Sequence, residues 1–151
     1  MADVHSRAVR SKNMSRIRGQ NTQPEMIVRR GLHAAGFRFR LHDRKLPGRP
    51  DIVLRRYNAV IFVHGCFWHG HDCALFRWPA TRPDFWRDKI GGNRARDTRR
   101  TADLLNAGWR VATVWECALK GRGRLPGEEV TGKLATWLHS TSDRLDLRGT
   151  V

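Results

Sequence analysis

The chain has 151 residues, which is long enough for one domain with its own hydrophobic core. It carries 29 lysine and arginine residues against 14 aspartate and glutamate residues, giving a formal net charge of +15. Because it has no apolar run of about 18 residues and MADVHSRAVR lacks the apolar centre of a secretory signal, we exclude a membrane protein and expect a soluble cytoplasmic one.

The excess of positive charge predicts a polyanionic partner. Most of the basic side chains are arginine, whose planar guanidinium suits bidentate contact with phosphate. Nucleic acid is therefore the expected partner. The alternative is that the charge only confers solubility, or reflects a genome rich in arginine codons.

The N-terminal part of the chain divides into a basic segment and a helix. Residues 1–21 hold many basic and few apolar side chains, so we predict an arm that becomes ordered on a partner. The sequence TQPE at residues 22–25 is typical of a helix start, with Thr22 as the N-cap and Glu25 completing a capping box. We expect this helix to end before Gly36.

Three strands are predicted next. Residues 37–41 alternate apolar and arginine side chains, which is typical of a half-buried strand. After the loop LPGRP, the short apolar runs at 51–54 and 59–63 predict a hairpin. Asp51 begins its first strand, and His64 ends its second.

The second half of the chain alternates helix, strand and helix. Residues 83–106 have a helical pattern, although the adjacent glycines 91 and 92 predict a possible kink. Residues 109–116 are rich in β-branched and aromatic side chains and predict a strand. Apolar positions between residues 130 and 138 recur at helical spacing.

The order of these elements predicts the fold class. A helix, three strands, a helix, a strand and a helix imply an α/β domain in which a mixed sheet carries helices on its faces. We divide the chain into the basic arm at 1–21, one domain at 22–139 and a C-terminal tail at 140–151.

Cysteines and histidines cluster in HGCFWHGHDC, at residues 64–73. Cys66, His71 and Cys73 lie close together in sequence, and Cys117 ends a strand that we expect beside the strand leading into them. Three thiolates and an imidazole form a tetrahedral zinc set with no open position, which is typical of a structural site. The alternative is three buried free cysteines, which pack well as small apolar groups.

Two large aromatic residues lie inside this cluster. If one ion holds Cys66 and His71, the intervening Phe67 and Trp68 belong to a tight loop that cannot collapse inward. Such side chains can enter between the base steps of a duplex. The alternative is that both rings belong to the ordinary core.

A second group of residues has the chemistry of phosphodiester hydrolysis. Asp51 can hold a hard cation, and His69 is suited to act as a base near neutral pH. His64 lies close enough to complete the site. For Glu25, the capping box alone is a sufficient explanation.

One helix face can contact DNA. Trp86, Lys89 and Asn93 have i, i+3 and i+7 spacing and offer a ring, a charge and an amide. A solvated helix face is the simpler explanation of this pattern.

Taken together, these residues resemble the very short patch repair (Vsr) endonuclease family. The resemblance runs through most of the chain, in the segments MADVHSRAVRSKNM, LPGRPD, VHGCFWHGHDC, PATRPDFW, GWRV and VWECALKGR. It implies a restriction-endonuclease-like core of three layers with a structural zinc site. It also implies an enzyme that nicks duplex DNA 5′ of the thymine in T:G mismatches, which arise when 5-methylcytosine deaminates.

The resemblance implies a role for each residue of the catalytic centre. Asp51 would ligate Mg²⁺ together with the backbone carbonyl of Val63, where we would expect threonine. His69 would act as the general base, oriented by Asp97, although an ion pair with a neighbouring arginine would also explain this aspartate. His64 and Glu25 would support the water shell of the metal.

The resemblance also implies zinc ligands and DNA contacts. The structural zinc ligands would be Cys66, His71, Cys73 and Cys117. The intercalating aromatics would be Phe67, Trp68 and Trp86, Met14 would contact the minor groove from the arm, and Lys89 with Asn93 would contact the mismatched pair. Gly70 and Asp72 depart from a richer histidine run, and Asp72 would either tune the zinc site or face solvent.

The expected partner is duplex DNA containing a T:G mismatch, and mismatch-repair factors and a repair DNA polymerase are further candidates. We expect a bacterial monomer, in the cytoplasm and associated with the nucleoid during repair. Two other functions remain open from the residues. One is a zinc-stabilised DNA-binding module without catalysis, and the other is a restriction-like nuclease that cuts matched DNA.

Overall fold

The structure is a computed structural model that describes residues 20–151. Met14 and nearly all of the predicted basic arm lie outside the described residues. The helices are α1 (Gln23–Ala34), α2 (Pro83–Asn106) and α3 (Gly127–Leu138). The strands are β1 (Arg40–Leu41), β2 (Ile52–Leu54), β3 (Ala59–His64), β4 (Arg110–Trp115) and β5 (Arg144–Leu147).

The strands form one mixed sheet in the order β1-β2-β3-β4-β5. The first three are joined antiparallel, and β3–β4 and β4–β5 are parallel. Parallel strands need a crossover connection, and α2 and α3 supply the two that this order requires. The predicted mixed α/β fold is therefore confirmed.

Helices cover both faces of the sheet. Val28 and Leu32 of α1 and Leu134 of α3 lie in one buried cluster with sheet residues such as Ile52. On the other face, Leu104 of α2 packs with a second set of sheet residues: Val53, Val60, Phe62 and Val111. Because successive strand residues point to opposite faces, both clusters draw on the same strands.

The predicted helices are present with small differences. Thr22 caps α1 by accepting the Glu25 N–H at 3.3 Å, but the Glu25 carboxylate accepts from Asn21 and not from Thr22, so the capping box is only half formed. Helix α2 runs unbroken through the two glycines at 91 and 92.

In the described part of the chain, no helix is both long enough and apolar enough to span a bilayer.

Two predicted segments require correction. The strand expected at 37–41 is reduced to Arg40–Leu41, because β2 is itself only three residues long and offers few partners. The segment expected to be a tail after residue 140 contributes β5, which pairs with β4 and buries Leu147. Its short apolar pattern was too weak to indicate an edge strand.

Replacing Leu147 tests whether β5 is an integral part of the fold. The side chain is 5% exposed and packs in the larger core cluster, so Leu147→Ala should lower the free energy of unfolding by about 2–3 kcal/mol. Arg144→Ala, at an exposed position of the same strand, is the control and should change it by about 0.5 kcal/mol or less. Urea unfolding measures both. Equal stability of the two variants would show that β5 is a dispensable tail.

Candidate functional site

A cleft of about 890 Å³ opens beside the carboxyl end of β3. Its walls include most of the residues that the sequence nominated for catalysis or DNA contact: Asp51, Val63, His64, Phe67, Trp68, His69, Lys89, Asn93 and Asp97. Strand β2, strand β3, the following loop and helix α2 all contribute to it. The fold therefore brings together residues that are up to 46 positions apart in sequence.

Two histidines and an aspartate form the first group in this cleft. The rings of His64 and His69 are stacked, with centroids 3.8 Å apart and planes inclined by 6°. His69 Nδ1 is hydrogen-bonded to Asp97 Oδ2. The contact fixes the ring through Nδ1 and leaves Nε2 as the atom that can exchange a proton with a substrate or water. Asp97 thus has a specific partner across the cleft, as the family resemblance implied.

His64 has an unusual environment. Burial lowers its pKa to about 3, and the charge of the neighbouring His69 acts in the same direction. Its Nδ1 is buried and has no hydrogen-bond partner within residues 20–151. His64 is therefore a neutral imidazole at physiological pH, and it does not repel a cation bound nearby.

Asp51 lies just before β2 and is 8% exposed. Its Oδ2 accepts the backbone N–H of Val63 at 2.7 Å, which places the carboxylate beside the backbone of residue 63. Burial raises the Asp51 pKa to about 7, and the nearby Glu25 carboxylate adds to this rise, while the Val63 hydrogen bond opposes it. A positive charge in the cleft would relieve this cost.

Glu25 is almost completely buried, at 1% exposure, and is held by three donors. They are the backbone N–H of Asn21 at 3.0 Å, the Arg29 guanidinium at 3.3 Å and His42 Nε2 at 2.8 Å. Ligand-type atoms of Glu25, His42 and Asp51 all lie within 4.8 Å of one another. The carboxylate therefore belongs to the site as well as to the helix cap.

The sequence analysis missed His42. It is an isolated histidine just after a two-residue strand, with no motif around it, so no pattern in the sequence distinguished it from a surface residue. Only the contact with Glu25 reveals that it lines the cleft.

The predicted zinc ligands converge at the same edge of the sheet. Ligand atoms of Cys66, His71, Cys73 and Cys117 lie within 4.8 Å of one another. His71 Nδ1 is 3.6 Å from both the Cys66 and the Cys117 sulfur. In a tetrahedral zinc site with usual bond lengths the sulfur–nitrogen edge is about 3.5 Å, so the set fits a zinc ion.

Backbone amides support the sulfur atoms of this cluster. The Cys117 N–H donates to the Cys66 sulfur and the Gly149 N–H to the Cys117 sulfur, each at 3.3 Å. Burial raises the pKa of both thiols, so a compensating cation is needed before they ionise. Gly149 follows β5, which means that the segment predicted as a tail completes the surroundings of the cluster.

Asp72 both faces solvent and lies next to the cluster. Its side chain is 85% exposed, its Oδ1 accepts from Arg148 at 2.8 Å, and the same atom is 3.7 Å from His71 Nε2. The interpretation that Asp72 faces solvent is therefore confirmed, and the interpretation that it tunes the zinc site stays a prediction. Gly70, at φ +60°, lies where an added Cβ would be 2.6 Å from the Ile90 side chain, so the loop needs glycine there.

The aromatic residues of the loop lie outside both core clusters. Phe67 and Trp68 are half-buried and meet edge to face, with centroids 5.2 Å apart, and Trp86 of α2 lies 5.4 Å from Phe67. The group continues through three residues that the sequence analysis did not assign to it: Phe76, Trp78 and Phe85. Trp78 and Phe85 are 57% and 44% exposed. This arrangement leaves aromatic surface available next to the cleft.

Asn93 and Lys89 lie on the face of α2 that lines the cleft. Asn93 Nδ2 donates to the Trp68 carbonyl at 2.8 Å, so this amide holds the aromatic loop in place. Lys89 is exposed and makes no ion pair in the described part of the chain. Lys89 thus keeps its charge available to a ligand, while the Asn93 amide is partly engaged by Trp68 and Arg96.

Sequence comparisons point to one family. Residues 2–75 match the family model for the DNA mismatch endonuclease Vsr. Over 151 residues the chain is 49% identical to the DNA mismatch endonuclease Vsr of Escherichia coli strain K12, covering 99% of this chain and 97% of that protein. It is 51% identical over 125 residues to the type II nicking enzyme V.XorIIP of Xanthomonas oryzae pv. oryzae, covering 83% of this chain and 92% of that protein.

The raised pKa of Asp51 predicts a pH-dependent cost in stability. The folded protein keeps on Asp51 a proton that the unfolded chain, with a pKa of 3.8, releases below pH 7. The cost therefore grows as pH rises from about 4 to 7 and is absent well below pH 4. In a metal chelator, Asp51→Asn should be stabilised relative to the unchanged protein, by at least about 1 kcal/mol at pH 8 and by less at pH 5.

Urea unfolding at several pH values measures this difference. The matched control is Asp143→Asn, because Asp143 is exposed and lies outside the cleft. If Asp51→Asn gains the same stability at pH 5 and pH 8, or if Asp143→Asn gains as much, the pKa of Asp51 is not raised by its burial in the cleft.

Proposed function

Because the chain belongs to the Vsr family of DNA mismatch endonucleases, we propose that it nicks one strand of a DNA duplex 5′ of the thymine in T:G mismatches. Such mismatches arise by deamination of 5-methylcytosine, and the nick would start very short patch repair. The observation that carries this proposal is that the His69–Asp97 pair and the buried Asp51 line one cleft. We take the three-layer core to be restriction-endonuclease-like, with residues 22–139 as its main body and 1–21 as a DNA-binding arm.

The proton chemistry follows from the two histidines. Asp97 holds His69 through Nδ1, so His69 Nε2 can accept a proton from the attacking water. His64 is stacked against His69 and is neutral, since burial lowers its pKa to about 3. It can therefore hold a water molecule by a hydrogen bond without adding positive charge.

Asp51 and Glu25 fit the binding of Mg²⁺. Asp51 supplies a buried hard oxygen ligand of the kind that this ion prefers, and it lies beside the backbone of Val63, whose carbonyl we propose as a further ligand. Glu25, together with His64, would support the water molecules around the ion. When bound, Mg²⁺ stabilises the negative charge that develops on the phosphate during hydrolysis. Since a backbone carbonyl does not depend on the side chain, valine at position 63 is compatible with this role.

The aromatic residues support recognition of a distorted duplex. We propose that Phe67, Trp68 and Trp86 enter between base steps next to the mismatch, with Lys89 reaching the DNA from α2 and Met14 from the arm. Asn93 is hydrogen-bonded to Trp68, so it would act at least partly by holding the aromatic loop. A mismatched pair is easier to unstack than a matched one, and this favours cleavage at mismatches.

Zinc would fix the loop that carries both the rings and His69. The four ligands Cys66, His71, Cys73 and Cys117 fit a tetrahedral ion, and Phe67, Trp68 and His69 lie between the first two of them. A DNA-binding module without catalysis would need the zinc and the rings, but it would have no need of the His69–Asp97 pair or of two buried carboxylates. The catalytic function is therefore favoured.

Replacing Asp51 tests the catalytic site. Asp51→Ala removes the carboxylate proposed to bind Mg²⁺ and should slow nicking of an end-labelled T:G duplex by at least about 100-fold. Binding of the same duplex in a chelator should change little, because the aromatic and basic contacts remain. Asp143→Ala serves as the control. Undiminished nicking by Asp51→Ala would show that the active site lies elsewhere.

Replacing a cysteine tests the zinc site. Cys73 is the least buried of the three cysteines, so Cys73→Ser disturbs packing least. Elemental analysis should find one zinc per chain in the unchanged protein and much less in the Cys73→Ser variant, and the melting temperature of the variant should be lower. If the unchanged protein contains no zinc and melts at the same temperature as the variant, the zinc assignment is wrong.

A further inference from the structure

We propose that His42 is a positioning residue that holds the Glu25 carboxylate in place for the catalytic cation. This inference rests on the proposed function, since the cation would be bound by Asp51, and Glu25 would support its water shell. The idea comes from two contacts of His42, one made by its side chain and the other by its backbone.

The side-chain contact is a close hydrogen bond in a buried place. His42 Nε2 lies 2.8 Å from Glu25 Oε2, and the two side chains are 14% and 1% exposed. It is the shortest of the three contacts on this carboxylate. Arg29 reaches the same oxygen at 3.3 Å, and the Asn21 N–H reaches the other oxygen at 3.0 Å. A buried carboxylate held by three donors has little freedom to rotate.

The backbone contact ties His42 to the second carboxylate. The His42 N–H donates to the Asp51 carbonyl at 3.1 Å, which extends the β1–β2 pairing by one step. His42 therefore connects Glu25 on α1 with Asp51 at the start of β2. The three residues offer ligand-type atoms within 4.8 Å of one another, which is the spacing needed around a single ion.

The conformation of His42 also indicates a constrained position. Its φ is +49°, in the left-handed region that residues with a side chain rarely adopt. Asn21, which also donates to Glu25 from outside α1, has a φ of +56°. Both residues that contact Glu25 from outside α1 thus have a left-handed backbone, a geometry that asparagine and histidine adopt more readily than most residues.

The two carboxylates repel each other, and this makes the position of Glu25 important. Repulsion from Glu25 opposes ionisation of Asp51, so without external restraint the two groups would move apart. His42 holds Glu25 Oε2 from outside α1, in a group whose ligand-type atoms include one of Asp51. Removing such an outer contact to a metal-binding group typically costs about 10–100-fold in metal affinity or activity.

Two substitutions separate the hydrogen bond that His42 makes to Glu25 from the packing of its side chain. Asn also tolerates the left-handed conformation, but its amide is too short to reach Glu25, whereas the amide of Gln ends near the position of Nε2. His42→Asn should raise the Mg²⁺ concentration for half-maximal nicking of a T:G duplex about 10-fold. His42→Gln should restore it to within about threefold of the unchanged protein. His33→Gln, at an exposed position on α1, is the control and should have no effect.

A second measurement does not depend on nicking. Mn²⁺ binding, followed by the electron paramagnetic resonance signal of the free ion, should weaken in His42→Asn and recover in His42→Gln. If the unchanged protein fails to nick T:G duplexes, the proposed function is wrong, yet this titration still tests His42. Equal Mn²⁺ and Mg²⁺ dependence in His42→Asn and the unchanged protein would overturn the inference, even if the melting temperature fell. Equal impairment of the Gln and Asn variants would also overturn it.

Discussion

The parallel pairing of β3 with β4 is the constraint on which the whole site depends. The register sets His64 opposite Trp115, so the chain leaves both strands at the same edge of the sheet. Cys66 and Cys117 each lie two residues beyond this last pair, and the Cys117 N–H donates to the Cys66 sulfur at 3.3 Å. A slip of one residue would reverse the faces and separate the two sulfur atoms.

One short loop then serves two sites. It supplies Cys66 and His71 to the candidate zinc cluster, and it presents His69 and the rings of Phe67 and Trp68 to the cleft. His71 is stacked on Trp115, with centroids 3.9 Å apart, which attaches the loop to the end of β4. A loop without its own secondary structure can hold His69, the proposed general base, in a fixed position only if such contacts fix the loop.

The cleft also concentrates groups that work against folding. Burial raises the pKa of Asp51 to about 7 and lowers that of His64 to about 3, so both residues resist the charged state. Their cost is offset by the two core clusters, which fill both faces of the sheet. An acid with a raised pKa and a base with a lowered pKa in one cleft are typical of active sites, because catalysis requires buried ionisable groups that lower the stability of the fold.

The sequence by itself predicted the helices, the hairpin, the strand β4 and the Cys/His cluster, and it nominated most of the residues that line the cleft, because local periodicity and residue chemistry are readable without the fold. Only the tertiary structure decided that β5 completes the sheet and that His42 holds Glu25. It also decided that Asp97 contacts His69, where the sequence had left a neighbouring arginine open as the alternative partner. These contacts join residues 17 or more positions apart, and no local pattern encodes which distant partner a single side chain will meet.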